Sequence, residues 1–76
     1  MKTKDIKKLF PGIAVYSDNE VVTNPFSGAS IELKPEEVAV YDYLKGCELL
    51  GDYKMLRKCL DWFIDNNMKA YMVLLD

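Results

Sequence analysis

The chain has 76 residues, half of them hydrophobic and 29% charged, with a formal net charge of −2. That is one globular domain, small enough that folding hides only about 60% of the surface of the unfolded chain, so every large side chain matters. No run approaches the ~18 consecutive apolar residues that cross a bilayer, and the N-terminal lysines have no apolar segment behind them, so the expectation is a cytoplasmic protein with no membrane association.

Residues 1–10 read as a basic N-terminal arm or a short helix. Thr3 is a candidate cap, and Ile6, Leu9 and Phe10 fall at i, i+3 and i+4, one apolar stripe opposite the lysines. Pro11 and Gly12 end the segment. Lys2, Lys4, Lys7 and Lys8 against Asp5 give residues 1–8 a charge of +3 and leave −5 for the rest of the chain. An acidic body repels a phosphate backbone, so nucleic-acid binding would rest on these four lysines alone.

Residues 13–33 read as a β-meander. The segment IAVYSDNEVVTN is rich in β-branched residues and carries Asp18-Asn19 at its middle, two residue types suited to a tight hairpin. That register pairs Tyr16 with Val21 and Val15 with Val22, placing Ile13, Val15 and Val22 on one face and Tyr16 and Val21 on the other. A second turn at Pro25-Phe26-Ser27-Gly28 leads into a third strand from Ala29 to Leu33. Three strands are expected, because a lone hairpin is marginal in water.

Residues 35–67 read as a helical hairpin. Pro35 suits the first helical position, Glu36 and Glu37 complement the helix dipole, and Leu33 with Val38 form a hydrophobic staple. The first helix, to about residue 50, presents Ala39, Val40, Tyr43, Leu44, Cys47 and Leu50 to the core. Gly46 inside it implies a close approach by a neighbour, since glycine otherwise weakens a helix by ~1 kcal/mol relative to alanine. Gly51 and Asp52 supply a C-terminal and an N-terminal cap, and so short a connection makes the helices antiparallel.

The second helix, YKMLRKCLDWFIDNN from residue 53 to 67, organises the rest. Lys54, Arg57, Lys58, Asp61 and Asp65 collapse into one polar strip. Tyr53, Met55, Leu56, Cys59, Leu60, Trp62, Phe63 and Ile64 fill the remaining arc, too wide for one neighbour and therefore flanked on two sides. Asn66-Asn67 breaks it. Residues 68–76 read as a short C-terminal helix with Met68, Tyr71, Met72, Leu74 and Leu75 on one side and Lys69, Val73 and Asp76 on the other, its YMVLL run walling the central helix rather than serving a partner.

Catalytic constellations are missing from the sequence: there is no histidine, no GxSxG, no Walker loop and no GxGxxG. Cys47 and Cys59 fall on apolar helix faces and read as buried thiols rather than as a bridge, a redox pair or zinc ligands. The reading is therefore not an enzyme, with no cofactor and no metal. Nine aromatic residues exceed what so small a core should use, which leaves some for an interface. Phe26 at the turn tip either folds back over the core or stands outside it. Tyr41, on the polar side of its helix near Glu37 and Glu48, packs beneath the sheet or faces a partner, and Tyr53 lies at the edge of the apolar arc.

From Asn24 onward the chain carries NPFSG, then ELKPEEVAVYD, then LDWF within a helix, then YMVLLD. In these motifs it resembles small uncharacterised proteins of tailed bacteriophages. The resemblance covers about two thirds of the chain and implies a cytoplasmic accessory protein made during infection that works by binding a host macromolecule; it assigns no functional residue.

Together these readings give an α+β fold, a small antiparallel β-meander packed on an α-helical hairpin with a short C-terminal helix. The expected function is a protein-interaction module, a monomer or homodimer, that binds a protein through Phe26, Tyr41, Tyr53, Glu37 and Glu48. The alternatives are nucleic-acid binding through Lys2, Lys4, Lys7 and Lys8, and a small-ligand sequestering oligomer with its pocket at a subunit interface.

Overall fold

The computed structural model describes the backbone of residues 3–16 and 18–75 and the side chains of residues 6–16 and 18–75. Its elements are α1 (Thr3–Leu9), β1 (Glu20–Thr23), β2 (Ser30–Leu33), α2 (Pro35–Leu50), α3 (Tyr53–Asn66) and α4 (Met68–Leu74). The fold is α+β: a two-stranded antiparallel sheet beside a helical hairpin, closed by a short C-terminal helix.

Residues 3–9 form a helix, and Ile6 and Phe10 at i and i+4 are buried from its inner face. Leu9, expected on the same stripe, is 43% exposed. With seven helical residues before Pro11, α1 offers the core about one turn on either side of Ile6, and Leu9 falls beside that contact. The Phe10 ring lies 5.5 Å from that of Tyr43, whose hydroxyl donates to the Pro11 carbonyl at 2.9 Å, fastening the end of α1 to α2. A cap by Thr3 concerns a side chain outside the described residues.

The expected first strand of the meander does not form. Residues 13–16 run without a ladder, and β1 pairs with β2 through Glu20↔Leu33, Val21↔Glu32, Val22↔Ile31 and Thr23↔Ser30. A two-residue hairpin at Asp18-Asn19 needs positive φ at the first of them or at both, and among the described residues only glycines have it. Asn19 instead sends its Nδ2 across the sheet to Glu32 Oε2, 3.1 Å away. Val22 therefore opposes Ile31 rather than Val15. The division into faces still holds: Ile13, Val15 and Val22 turn to the core, while Tyr16 and Val21 are exposed.

Local signals define α2. Pro35 opens it, Glu37 Oε1 accepts from the Lys34 amide at 2.9 Å, and both staple residues, Leu33 and Val38, are buried. Gly51 closes it at φ 74°, and Asp52 caps α3 by accepting from the Met55 amide at 3.2 Å. Two expectations fail here. Leu50 belongs to the exposed hairpin tip rather than the core stripe, because among the described residues no element reaches that far along α2 to cover it. Among the described residues a Cβ built on Gly46 would meet nothing within 4 Å, so none of them approaches it closely.

The central helix, α3, is flanked as its wide arc requires, by α2 on one side and α4 on the other. Cys59, Trp62 and Phe63 are buried, with the Trp62 and Phe63 rings edge to face at 5.2 Å. Met55, Leu56, Leu60 and Ile64 are half-buried. The buried face of α4 is Ala70 and Leu74, with Val73 half-buried and Met68 and Met72 exposed, a rotation from the expected face. Asn67 sets that rotation. Its Oδ1 caps α4 by accepting from the Ala70 amide at 3.1 Å, while its Nδ2 donates to Glu37 Oε2 at 3.0 Å, which turns Ala70 and its i+4 neighbour Leu74 inward.

Candidate functional site

The β1–β2 connection is a built turn. Asn24 begins it by giving its main-chain carbonyl to the Gly28 amide and its N–H to the Ala29 carbonyl, both at 2.8 Å. Its Oδ1 accepts from the Phe26 amide at 2.9 Å, and Ser27 Oγ accepts from the Ala29 amide at 3.2 Å. Gly28 at φ 78° takes the left-handed corner open to glycine without strain. Asn24 Nδ2 then donates 3.0 Å to the Val73 carbonyl, tying the turn to α4. These bonds hold Phe26 97% exposed, so it does not fold back over the core.

Below this turn a groove of about 340 Å³ runs between α2, α3 and α4. Leu44 and Leu74 lie at its floor, and Leu56, Leu60 and Leu75 rise along its walls, with Phe26 and Tyr41 on the rim. Tyr41 is half-buried against the core, its ring 5.3 Å from Lys45 Nζ. The same Nζ lies 3.4 Å from Glu48 Oε1. The order Tyr41, Lys45, Glu48 thus gives one side of the groove a polar edge spaced at one helical turn, and the other side is aliphatic.

Of the residues singled out in the sequence, Phe26, Tyr41 and Glu48 come together here. Tyr53 is 71% exposed at the hairpin tip, away from the groove. Glu37 lies at the opposite end of α2 with one oxygen on the Lys34 amide and the other on Asn67, a structural post. Leu56, Leu60, Leu75 and Asn24 were not singled out. In the sequence Leu56 and Leu60 belong to the apolar arc of α3 that was expected to be covered from two sides, and nothing there marks them as groove walls.

Lys7 and Lys8 are exposed on α1. Lys2, and the side chain of Lys4, lie outside the described residues. The two thiols are free and buried: burial first, then the neighbouring Cys47, pushes Cys59 up to about 12, and burial also raises Cys47. Thiols held protonated in this way are poor nucleophiles at neutral pH. Among the described residues no helix is long and apolar enough to cross a membrane, and no cluster of three metal-ligating side chains occurs. No protein-family model, curated protein or solved structure matches the chain.

Proposed function

We propose that this is a small non-enzymatic interaction module of the cytoplasm, which binds a protein partner by seating an apolar side chain of that partner in the groove under the β1–β2 turn. The observation that carries the reading is Phe26, a large ring almost wholly in solvent at the tip of a turn whose main chain is fixed by hydrogen bonds on both sides of it. An anchor carried on an ordered backbone loses only side-chain freedom on docking, and an aromatic anchor beside an aliphatic pocket is a common arrangement at protein interfaces. Leucine walls with a tyrosine, lysine and glutamate on one edge suit a pocket for an apolar side chain, with polar groups at its rim to orient what binds. In the setting that the NPFSG and YMVLLD motifs imply, the module is a phage accessory protein that binds and modulates a host protein.

Capture of partners from a bacterial lysate, followed by titration calorimetry with Phe26→Ala and Tyr41→Ala, tests this. Each variant should weaken binding by about tenfold or more, while Tyr53→Ala, outside the groove, leaves it unchanged. Full affinity in both groove variants, with normal circular dichroism, would overturn the reading.

A further inference from the structure

The outward stripe of α3 runs Lys54, Arg57, Lys58, Asp61, Asp65, every residue exposed. Its N-terminal half is basic and its C-terminal half acidic. That polarity opposes the helix dipole, which favours anions at the N-terminal end and cations at the C-terminal end. Lys54 and Lys58 are also like charges at i and i+4, as are Asp61 and Asp65, and such pairs disfavour the helix. The exposed Arg57–Asp61 contact at 3.4 Å offsets only part of this. Within a single chain the pattern works against α3 along its length.

Between two chains the same pattern becomes favourable. A stripe basic at one end and acidic at the other meets its own complement when laid antiparallel on a copy of itself, the geometry that a two-fold axis imposes. We propose that the outer face of α3 docks a second copy of this chain, with Lys54 facing Asp65 and Lys58 facing Asp61 across an axis midway between residues 58 and 61. Each pair occurs twice, spread over about 16 Å of helix. Apolar surface lies along one edge of the stripe, where a cleft of about 260 Å³ between α1 and α3 contains the half-exposed Leu9 beside Phe10 and Trp62. Leu56 and Leu60, which wall the groove, point to the other side of α3, so a partner and a second copy can be held at once.

Sedimentation equilibrium of the full chain at low and high salt tests the proposal, with Lys54→Glu, Asp65→Lys and the double variant. The wild type should be a dimer at ~20 mM salt that dissociates towards 500 mM, as exposed charge pairs are screened. Either single change places like charges across the axis and should weaken association roughly tenfold or more. The double variant restores opposite charges, keeps the net charge of −2 and should dimerise again. Most diagnostic is a mixture of the two single variants, each monomeric alone. It should form a heterodimer, because the carboxylate introduced at position 54 of one chain then faces the ammonium introduced at position 65 of the other. A wild type that stays monomeric at low salt, single variants that associate as the wild type does, or a mixture that fails to associate would each overturn the proposal.

Discussion

The two ends of the α2–α3 hairpin are built to opposite standards. At the end where α2 begins and α3 finishes, Leu33, Val38, Trp62 and Phe63 are buried, and Asn67 joins α4 to Glu37. At the tip, Leu49 and Leu50 are 89% and 85% exposed and Tyr53 stands beside them in solvent, although Gly51 and Asp52 make the turn as well formed as any in the molecule. Helix capping and tertiary cover are thus separable. The turn at the tip follows from four residues in sequence, whereas cover depends on whether a distant element happens to reach that far.

If the comparison is right, truncation should be severe at one end and silent at the other. Phe63→Ala at the closed end removes a side chain with no exposed surface and should cost about 3–5 kcal/mol. A chain of this length is stable by only about 4–11 kcal/mol, so much of the variant should unfold at 37 °C. Leu50→Ala at the tip should change stability by less than about 0.5 kcal/mol. Urea denaturation followed by circular dichroism reads both, and equal losses would erase the distinction.

The next largest effect concerns pH, at the boundary between the two ends. Cys59 keeps its proton in the folded protein up to about 12, against an ordinary value of 9.0, chiefly through burial. The unfolded chain releases that proton first, so the stabilisation is complete below about pH 9 and is lost as pH rises towards 12. Cys47 and Tyr43 are raised too, and act in the same direction. The denaturation midpoint should fall steadily across this window, and Cys59→Ala should flatten the fall. A midpoint indifferent to alkaline pH would mean that the thiols are not sealed.

Smaller again is the tie made by Asn67. Asn67→Ala removes the cap on α4 and the bond to Glu37 together and should cost about 1–2 kcal/mol. Glu37→Gln keeps an acceptor for the Lys34 amide and should cost less. If Asn67→Ala is neutral, the closed end is held by packing alone.

What the sequence made legible follows the same division. The start of α2, its end at Gly51, the cap at Asp52 and the break at Asn67 are decided within a few residues, and the structure matches each. Contacts that depend on distant partners were read less well. The valines and tyrosine of residues 13–16 have strand propensity, yet the register that forms is β1 on β2, because Asp18-Asn19 lacks the glycine that a two-residue hairpin favours. Leu50 and Met72 are apolar at helical spacing, but periodicity cannot say which neighbour is long enough to cover them. The groove divides likewise: Phe26 and Tyr41 were visible as aromatics surplus to the core and Glu48 as part of an outward acidic face, whereas Leu56, Leu60 and Leu75 are ordinary core residues until the pose of α4 leaves them partly uncovered. The side-chain reach of Asn24 to Val73, which sets the turn over the groove, spans 49 residues and has no local signature.

Gly46 gives the smallest effect and the sharpest comparison with the tip. Glycine inside a helix is tolerated when a neighbour needs the room, and none of the described residues takes it here: an added Cβ would find no atom of theirs within 4 Å, and the backbone φ is not in the left-handed region. Gly46→Ala should therefore stabilise the fold by about 1 kcal/mol, through helix propensity and a less flexible unfolded chain. In a domain of this size that raises the melting temperature by roughly 4–8 °C. The same change at Gly51 should destabilise, because alanine resists the φ of 74° that ends α2. Calorimetry on the two variants sets a glycine inside α2 with open space against the capping glycine that follows the helix, whose left-handed φ alanine resists. A loss of stability in Gly46→Ala would mean that something docks closely against α2 at that point, and the first place to look would be an assembled form of the protein.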